Sequence, residues 1–159
     1  MKLRILTVST KPPGWVSEGV SEYVKRMPAN LPIDIVEIAP EKRRKGDSAA
    51  NVLKYTAAEG VKLQTALNSG DWVVALDERG SSVTSVKLAD KLSQWQERGQ
   101  DVAFLIGGAD GLDTDLRQRA DETLCLSSMT LPHHLVRIVL VEALYRAWSI
   151  LSGHPYHRA

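Results

Sequence analysis

Short apolar runs alternate with longer amphipathic stretches along the whole chain. Leu3–Val8, Ile33–Ile38, 72–76, Val102–Ile106 and 123–126 have the length and aliphatic content of strands. Val102–Ile106 is apolar without a break, the pattern of a strand buried on both faces. Between these runs the apolar period lengthens to that of a helix. In 15–27 it falls on Val16, Val20, Tyr23, Val24 and Met27. In 48–68 it includes Val52, Leu53, Leu63 and Leu67, and in 86–98 Leu88, Ala89, Leu92 and Trp95. A short helix over 113–120, capped by Asp113, and a long one from Pro132 to about Ser152 complete the set, proline being suited to a first helical turn. The segments between are loops, 77–82 among them. Strand alternating with helix predicts an α/β fold, a mostly parallel sheet covered by helices on both faces. No linker, repeat or low-complexity stretch divides residues 1–159, so one domain is expected.

The last helix departs from a one-sided stripe. Val136, Ile138, Val139, Leu140, Val141, Leu144, Tyr145 and Trp148 put apolar groups around much of its circumference. Such a helix is buried on more than one side, with the sheet on one and a second subunit on the other.

Composition narrows the function. Of 159 residues, 43% are hydrophobic, ample for a core. The 20 Lys and Arg against 19 Asp and Glu give a net charge of +1, so any RNA contact must come from local patches. One such patch is Lys42-Arg43-Arg44-Lys45, a solvated loop by itself and a phosphate contact if it borders a ligand site. The single cysteine, Cys125, excludes an internal disulfide and falls in a strand, as a buried inert thiol does. The apolar start of the chain is short and broken by Arg4, and no run approaches membrane-spanning length. A cytoplasmic protein without membrane segments is expected.

Candidate chemistry gathers where strands end, because an open parallel sheet binds ligands beyond the carboxyl ends of its strands. After Ile106 comes Gly107-Gly108-Ala109-Asp110-Gly111, where the backbone can turn sharply or approach a ligand closely. It lacks the spacing and position of a dinucleotide fingerprint. After Leu126 comes Ser127-Ser128-Met129-Thr130-Leu131-Pro132, longer than a minimal helix entry and rich in free backbone groups. It could hold a purine ring through amides, carbonyls and the apolar Met129 and Leu131. A serine hydrolase is not indicated: no nucleophile elbow precedes Ser127 or Ser128, and His133 and His134 are too near in sequence for triad geometry. His133, His134, His154 and His157 lack cysteines or carboxylates at ligand spacing, so no metal site is expected. The tail, His154-Pro155-Tyr156-His157-Arg158, offers proton transfer, stacking and phosphate binding at a chain end.

Four blocks in order carry a resemblance. They are Leu105-Ile106-Gly107-Gly108-Ala109-Asp110-Gly111, Leu126-Ser127-Ser128-Met129-Thr130-Leu131-Pro132-His133, Leu144-Tyr145-Arg146-Ala147-Trp148-Ser149-Ile150 and His154-Pro155-Tyr156-His157-Arg158. Together, over nearly the full length, they resemble the ribosomal RNA large subunit methyltransferase H family of SPOUT methyltransferases. Many of those relatives have proline and glutamate where this chain has Ala109 and Asp110, which keeps the acid and loosens the turn. The resemblance implies a SPOUT fold with a deep C-terminal trefoil knot and S-adenosyl-L-methionine as methyl donor. It implies cofactor contacts from Leu76, Gly108, Ser127, Ser128, Met129, Thr130, Leu131 and Pro132. The implied substrate is a pseudouridine of large-subunit (23S) ribosomal RNA, methylated at N3 in the assembled ribosome. A homodimer is implied, the tail of one subunit reaching the other's cofactor site, with His154, Tyr156, His157 and Arg158 as the expected catalytic set. A transfer-RNA or other base-atom specificity, and a non-catalytic ribosome assembly factor, are the alternatives.

Overall fold

The computed structural model describes residues 1–158; Ala159, the last residue of the tail, lies outside them. Five parallel strands, β1 (Leu3–Val8), β2 (Ile33–Ile38), β3 (Trp72–Ser82), β4 (Val102–Ile106) and β5 (Glu122–Cys125), form one sheet in the order β2-β1-β4-β3-β5. The helices are α1 (Gly14–Val24), α2 (Ala49–Ala66), α3 (Ser85–Arg98), α4 (Thr114–Arg119) and α5 (His133–Ser152).

The two-residue period of a strand sorts its side chains between two cores. Leu3 and Ile5 of β1 enter the core shared with α1, α3 and α5. Leu6 and Val8 enter a smaller core with Leu63 of α2 and Leu116 of α4. Both faces are therefore covered, as the alternation of elements predicts. β4 lies between β1 and β3, and all five of its residues are buried, which is why no polar side chain interrupts it.

Caps set the helix ends where short polar residues allow. The side chains of Ser48, Thr84 and Asp113 accept from the backbone N–H of Asn51, Lys87 and Leu116. Pro132 sits one position earlier than a first-turn proline: it is the cap residue, with ψ 142, and α5 begins at His133.

The expected loop over 77–82 is instead strand. β3 pairs Leu76 with Leu124, then Ser81 with Leu124 again, so the residues between bulge away from β5 before pairing resumes at Ser82 and Cys125. Its polar composition conceals a strand that pairs on one side only. β5 is displaced by one residue from its apolar run and stops at Cys125. Met27 lies beyond the end of α1 yet still packs into the larger core. Among the described residues, no helix is long and apolar enough to cross a membrane.

Candidate active site

A cleft of about 720 Å³ opens at the carboxyl ends of β3, β4 and β5. Its walls are residues 76–79 from the β3 bulge, 106–112 after β4, and 124–127 with 129–132 after β5, closed by His133 and Val136 of α5. The two strand-end turns singled out in the sequence thus face one space.

Each turn is built by local chemistry. Past Ile106 the chain doubles back, Gly108 and Gly111 form an isolated antiparallel bridge, and the Gly111 N–H donates to the Gly108 carbonyl at 3.1 Å. A Cβ on Gly107 would lie 2.3 Å from the carbonyl carbon of Gly111, so a larger residue cannot occupy this position without opening the turn. Past Cys125 the hydroxyl of Ser127 accepts from the Met129 N–H at 3.0 Å, and the Cys125 thiol donates to the Ser127 carbonyl at 2.9 Å. Cys125 is buried, as its place in a strand predicts.

Leu76, Gly108, Ser127, Met129, Thr130, Leu131 and Pro132 all line the cleft; Ser128 does not and is exposed beside it. Sequence reasoning missed Asp77, Glu78 and Arg79 on the third wall, hidden by reading their segment as a loop. The strand-end rule that located the other two turns would have found them at the end of the 72–76 run. It also missed His133, which enters the wall from α5. Burial, and then the positive charge of His134 and Arg137, lowers the pKa of His133, favouring a neutral imidazole beside the cleft.

Charge is held at the rim in paired form. Asp77 accepts from the Arg79 N–H at 2.8 Å and faces Arg117 at 3.5 Å. Asp110, in the glycine turn, pairs with Arg43 at 3.0 Å, and Arg43 also grips the buried Glu59 at 2.5 Å. These ion pairs, Glu59 above all, hold the Arg43 pKa above its ordinary value.

The tail is ordered by contacts with its own helix. The Tyr156 ring stands edge-on to Tyr145 at 4.6 Å, its hydroxyl donates to Glu142 at 2.9 Å, and Arg146 grips the same carboxylate at 2.6 Å. Burial, with hydrogen bonds to Tyr23 and Glu142, pushes the Tyr156 pKa well above that of a free phenol. The His157 ring meets the Ser149 hydroxyl at 3.1 Å, and Nδ1 of His154 accepts the Tyr156 N–H at 3.2 Å. His154, Tyr156 and His157 therefore pack beside α5 just past its end, Arg158 follows them, and none of the four lines the cleft of the same chain.

The family model described as predicted SPOUT methyltransferase matches residues 1–157. Among curated proteins, the ribosomal RNA large subunit methyltransferase H of Burkholderia cenocepacia strain HI2424 is 57% identical over 159 residues, all of both chains. That of Burkholderia multivorans is equally similar over the same span. Among solved structures, a probable methylase family protein from Haemophilus influenzae superposes with a TM-score of 0.58 at 12% identity, covering 99% of this chain and 70% of that one. A probable methyltransferase from Bordetella pertussis gives 0.57 at 16% identity, covering 91% of this chain and 95% of the other. With a parallel sheet ending in a three-walled cleft and with likeness along its whole length to these relatives, the chain belongs to the SPOUT methyltransferase family, among the large-subunit ribosomal RNA methyltransferases H.

Proposed function

We propose that this methyltransferase takes its methyl group from S-adenosyl-L-methionine and places it on N3 of a pseudouridine in large-subunit ribosomal RNA, acting as a homodimer on the assembled ribosome. The observation that carries the reading is the convergence of the glycine turn and the 127–132 turn on one cleft. The cleft suits the cofactor chemically. Leu76, Leu126 and Leu131 offer apolar surface to an adenine, the turn past Cys125 offers backbone donors and acceptors, and Glu78, in no ion pair among the described residues, offers a carboxylate to the cofactor's cationic groups. The deep trefoil knot implied by the resemblance goes with this reading.

When bound, the cofactor supplies an electrophilic methyl carbon on a sulfonium; the protein's task is to hold the base in line with it and to take up the N3 proton. Hydrogen bonding distinguishes the two tail histidines. Nδ1 of His154 is an acceptor, so its neutral ring carries the proton on Nε2 and has no lone pair left there. The Ser149 hydroxyl already donates to the Arg146 carbonyl at 2.7 Å, so Nδ1 of His157 donates to Ser149 and Nε2 keeps its lone pair. His157 is the base of this proposal and His154 a positioning residue. Tyr156, its hydroxyl occupied by Glu142, fixes the tail, and the exposed Arg158 meets a phosphate or the developing imide charge. The resemblance implies a tail that serves the partner subunit's cleft, and the placement of the tail outside its own cleft supports that reading.

Mass spectrometric mapping of 23S ribosomal RNA from a strain lacking this gene tests the assignment: one pseudouridine should lose a methyl group at N3. A missing methyl group on transfer RNA instead would move the substrate, and calorimetry showing no S-adenosyl-L-methionine binding would leave an assembly factor. On ribosomes, His157→Gln should lower kcat about a hundredfold or more, the scale of general-base loss, with His154→Gln much milder.

A further inference from the structure

Four consecutive cations in a loop ordinarily repel one another and stay solvated. In residues 42–45 one cation is treated differently from the other three. Arg43 is turned inward: its guanidinium bonds Glu59, whose side chain is 3% exposed, and Asp110 of the glycine turn, and also donates to the Glu41 carbonyl at 2.9 Å. Glu59 accepts the Glu41 N–H at 2.9 Å, Lys62 pairs with Glu41 at 3.0 Å, and Asp47 accepts from the Arg44 N–H and the Tyr55 hydroxyl. The loop is thus bolted to α2 and, through one ion pair, to the rim of the cleft. Lys42, Arg44 and Lys45 are exposed, and none takes part in an ion pair among the described residues. The carboxylates around them are already engaged by Arg43, Lys62, Tyr55 and backbone N–H groups. Burying the Glu59 carboxylate against a single arginine costs free energy that a merely soluble loop would not need. A loop that must offer fixed positive charge at a set distance from the cleft does need it.

We propose that Lys42, Arg44 and Lys45 form a preorganised phosphate-binding edge that seats the RNA backbone beside the cleft, with Arg43 as its anchor through Glu59 and Asp110. This deepens the reading of the cleft as a ribosomal RNA methylation site and rests on it. In a chain of net charge +1, three exposed cations without an ion pair among the described residues, in a loop that Arg43 ties to the rim, are a local electrostatic footprint of the kind that positions nucleic acid without reading its sequence.

The test compares the native protein with Lys42→Ala/Arg44→Ala/Lys45→Ala, measuring affinity for purified ribosomes over a salt series alongside methylation kinetics. Lys2→Ala/Lys25→Ala removes two exposed cations away from the cleft and is the control. The triple variant should bind ribosomes about tenfold or more weakly near 0.1 M salt, and its slope of log affinity against log salt should be shallower by about two, as for three lost single-strand phosphate contacts. KM for ribosomes should rise while kcat at saturation and S-adenosyl-L-methionine affinity stay unchanged, and the control should bind normally. A folded triple variant with native affinity and native salt slope overturns the proposal, as does an equal loss in the control. If the native protein binds ribosomes without methylating them, the assigned reaction fails, and the binding comparison still decides whether this edge holds RNA.

Discussion

Single residues here are fixed by what they touch. Glu122 is a hub: its carboxylate accepts from the indole N–H of Trp72 and of Trp95, each at 2.8 Å, and from Lys91 at 2.7 Å. Burial alone would raise its pKa, but the three donors outweigh burial and hold it below the ordinary value. A carboxylate lowered in this way contributes stability that is present in full above its unfolded pKa of about 4.3 and is lost as pH falls through the folded value. Glu122→Gln should therefore cost about 2 kcal/mol at pH 7, since an amide cannot accept from all three donors. In guanidinium unfolding, the gap between native and variant should narrow below about pH 4, where the native side chain becomes neutral as well. A gap independent of pH would show that the carboxylate's charge is not what matters at this position.

At the scale of elements, two exceptions to regular structure make the cleft. The bulge in β3 brings 77–79 over the cleft, and it needs Gly80: a Cβ there would lie 2.7–2.8 Å from backbone atoms of Thr123 and Leu124. Gly80→Ala should destabilise the protein by about 2 kcal/mol, a Tm lower by about 4–8 °C at this chain length, and weaken S-adenosyl-L-methionine binding because Leu76 shares the displaced strand. An unchanged Tm would mean that the β3–β5 pairing can give way. The other exception is α5. From His133 to Ile150 none of its residues is fully exposed even in one chain. The apolar circumference is met by α1 and α3 as well as the sheet. The same helix carries a buried arginine that periodicity could not reveal: Arg137 reaches Glu37 at 2.8 Å and Ser9 at 2.5 Å, tying α5 to the ends of β1 and β2.

The whole molecule explains why the tail and the cleft are separate in one chain. Under the proposed dimer, each site takes its cofactor wall from one subunit and its tail from the other. Mixing a chain deleted after Gly153 with a cleft variant such as Gly107→Leu, each inactive alone, should restore part of the activity through heterodimers carrying one intact composite site. No recovery, with light scattering showing that mixed dimers form, would put tail and cleft in the same subunit. Much of this molecule is legible in its sequence because the relevant physics is local. Five apolar runs yielded five strands, the Asp113, Thr84 and Ser48 caps follow from short polar side chains before helical periods, and the glycine and serine-rich turns could be expected to face one cleft because ligand clefts in parallel sheets open beyond the strand ends. What lay beyond it depends on distances through space. Residues 77–82 look like a loop until β5 lies alongside, Arg43 looks like its three neighbours until Glu59 and Asp110 close on it, and His157 resembles His154 until Ser149 meets its ring. Period and composition encode which side chains are apolar and where the backbone can turn; only the folded chain decides which polar atoms find one another, because the segments that meet are far apart in sequence.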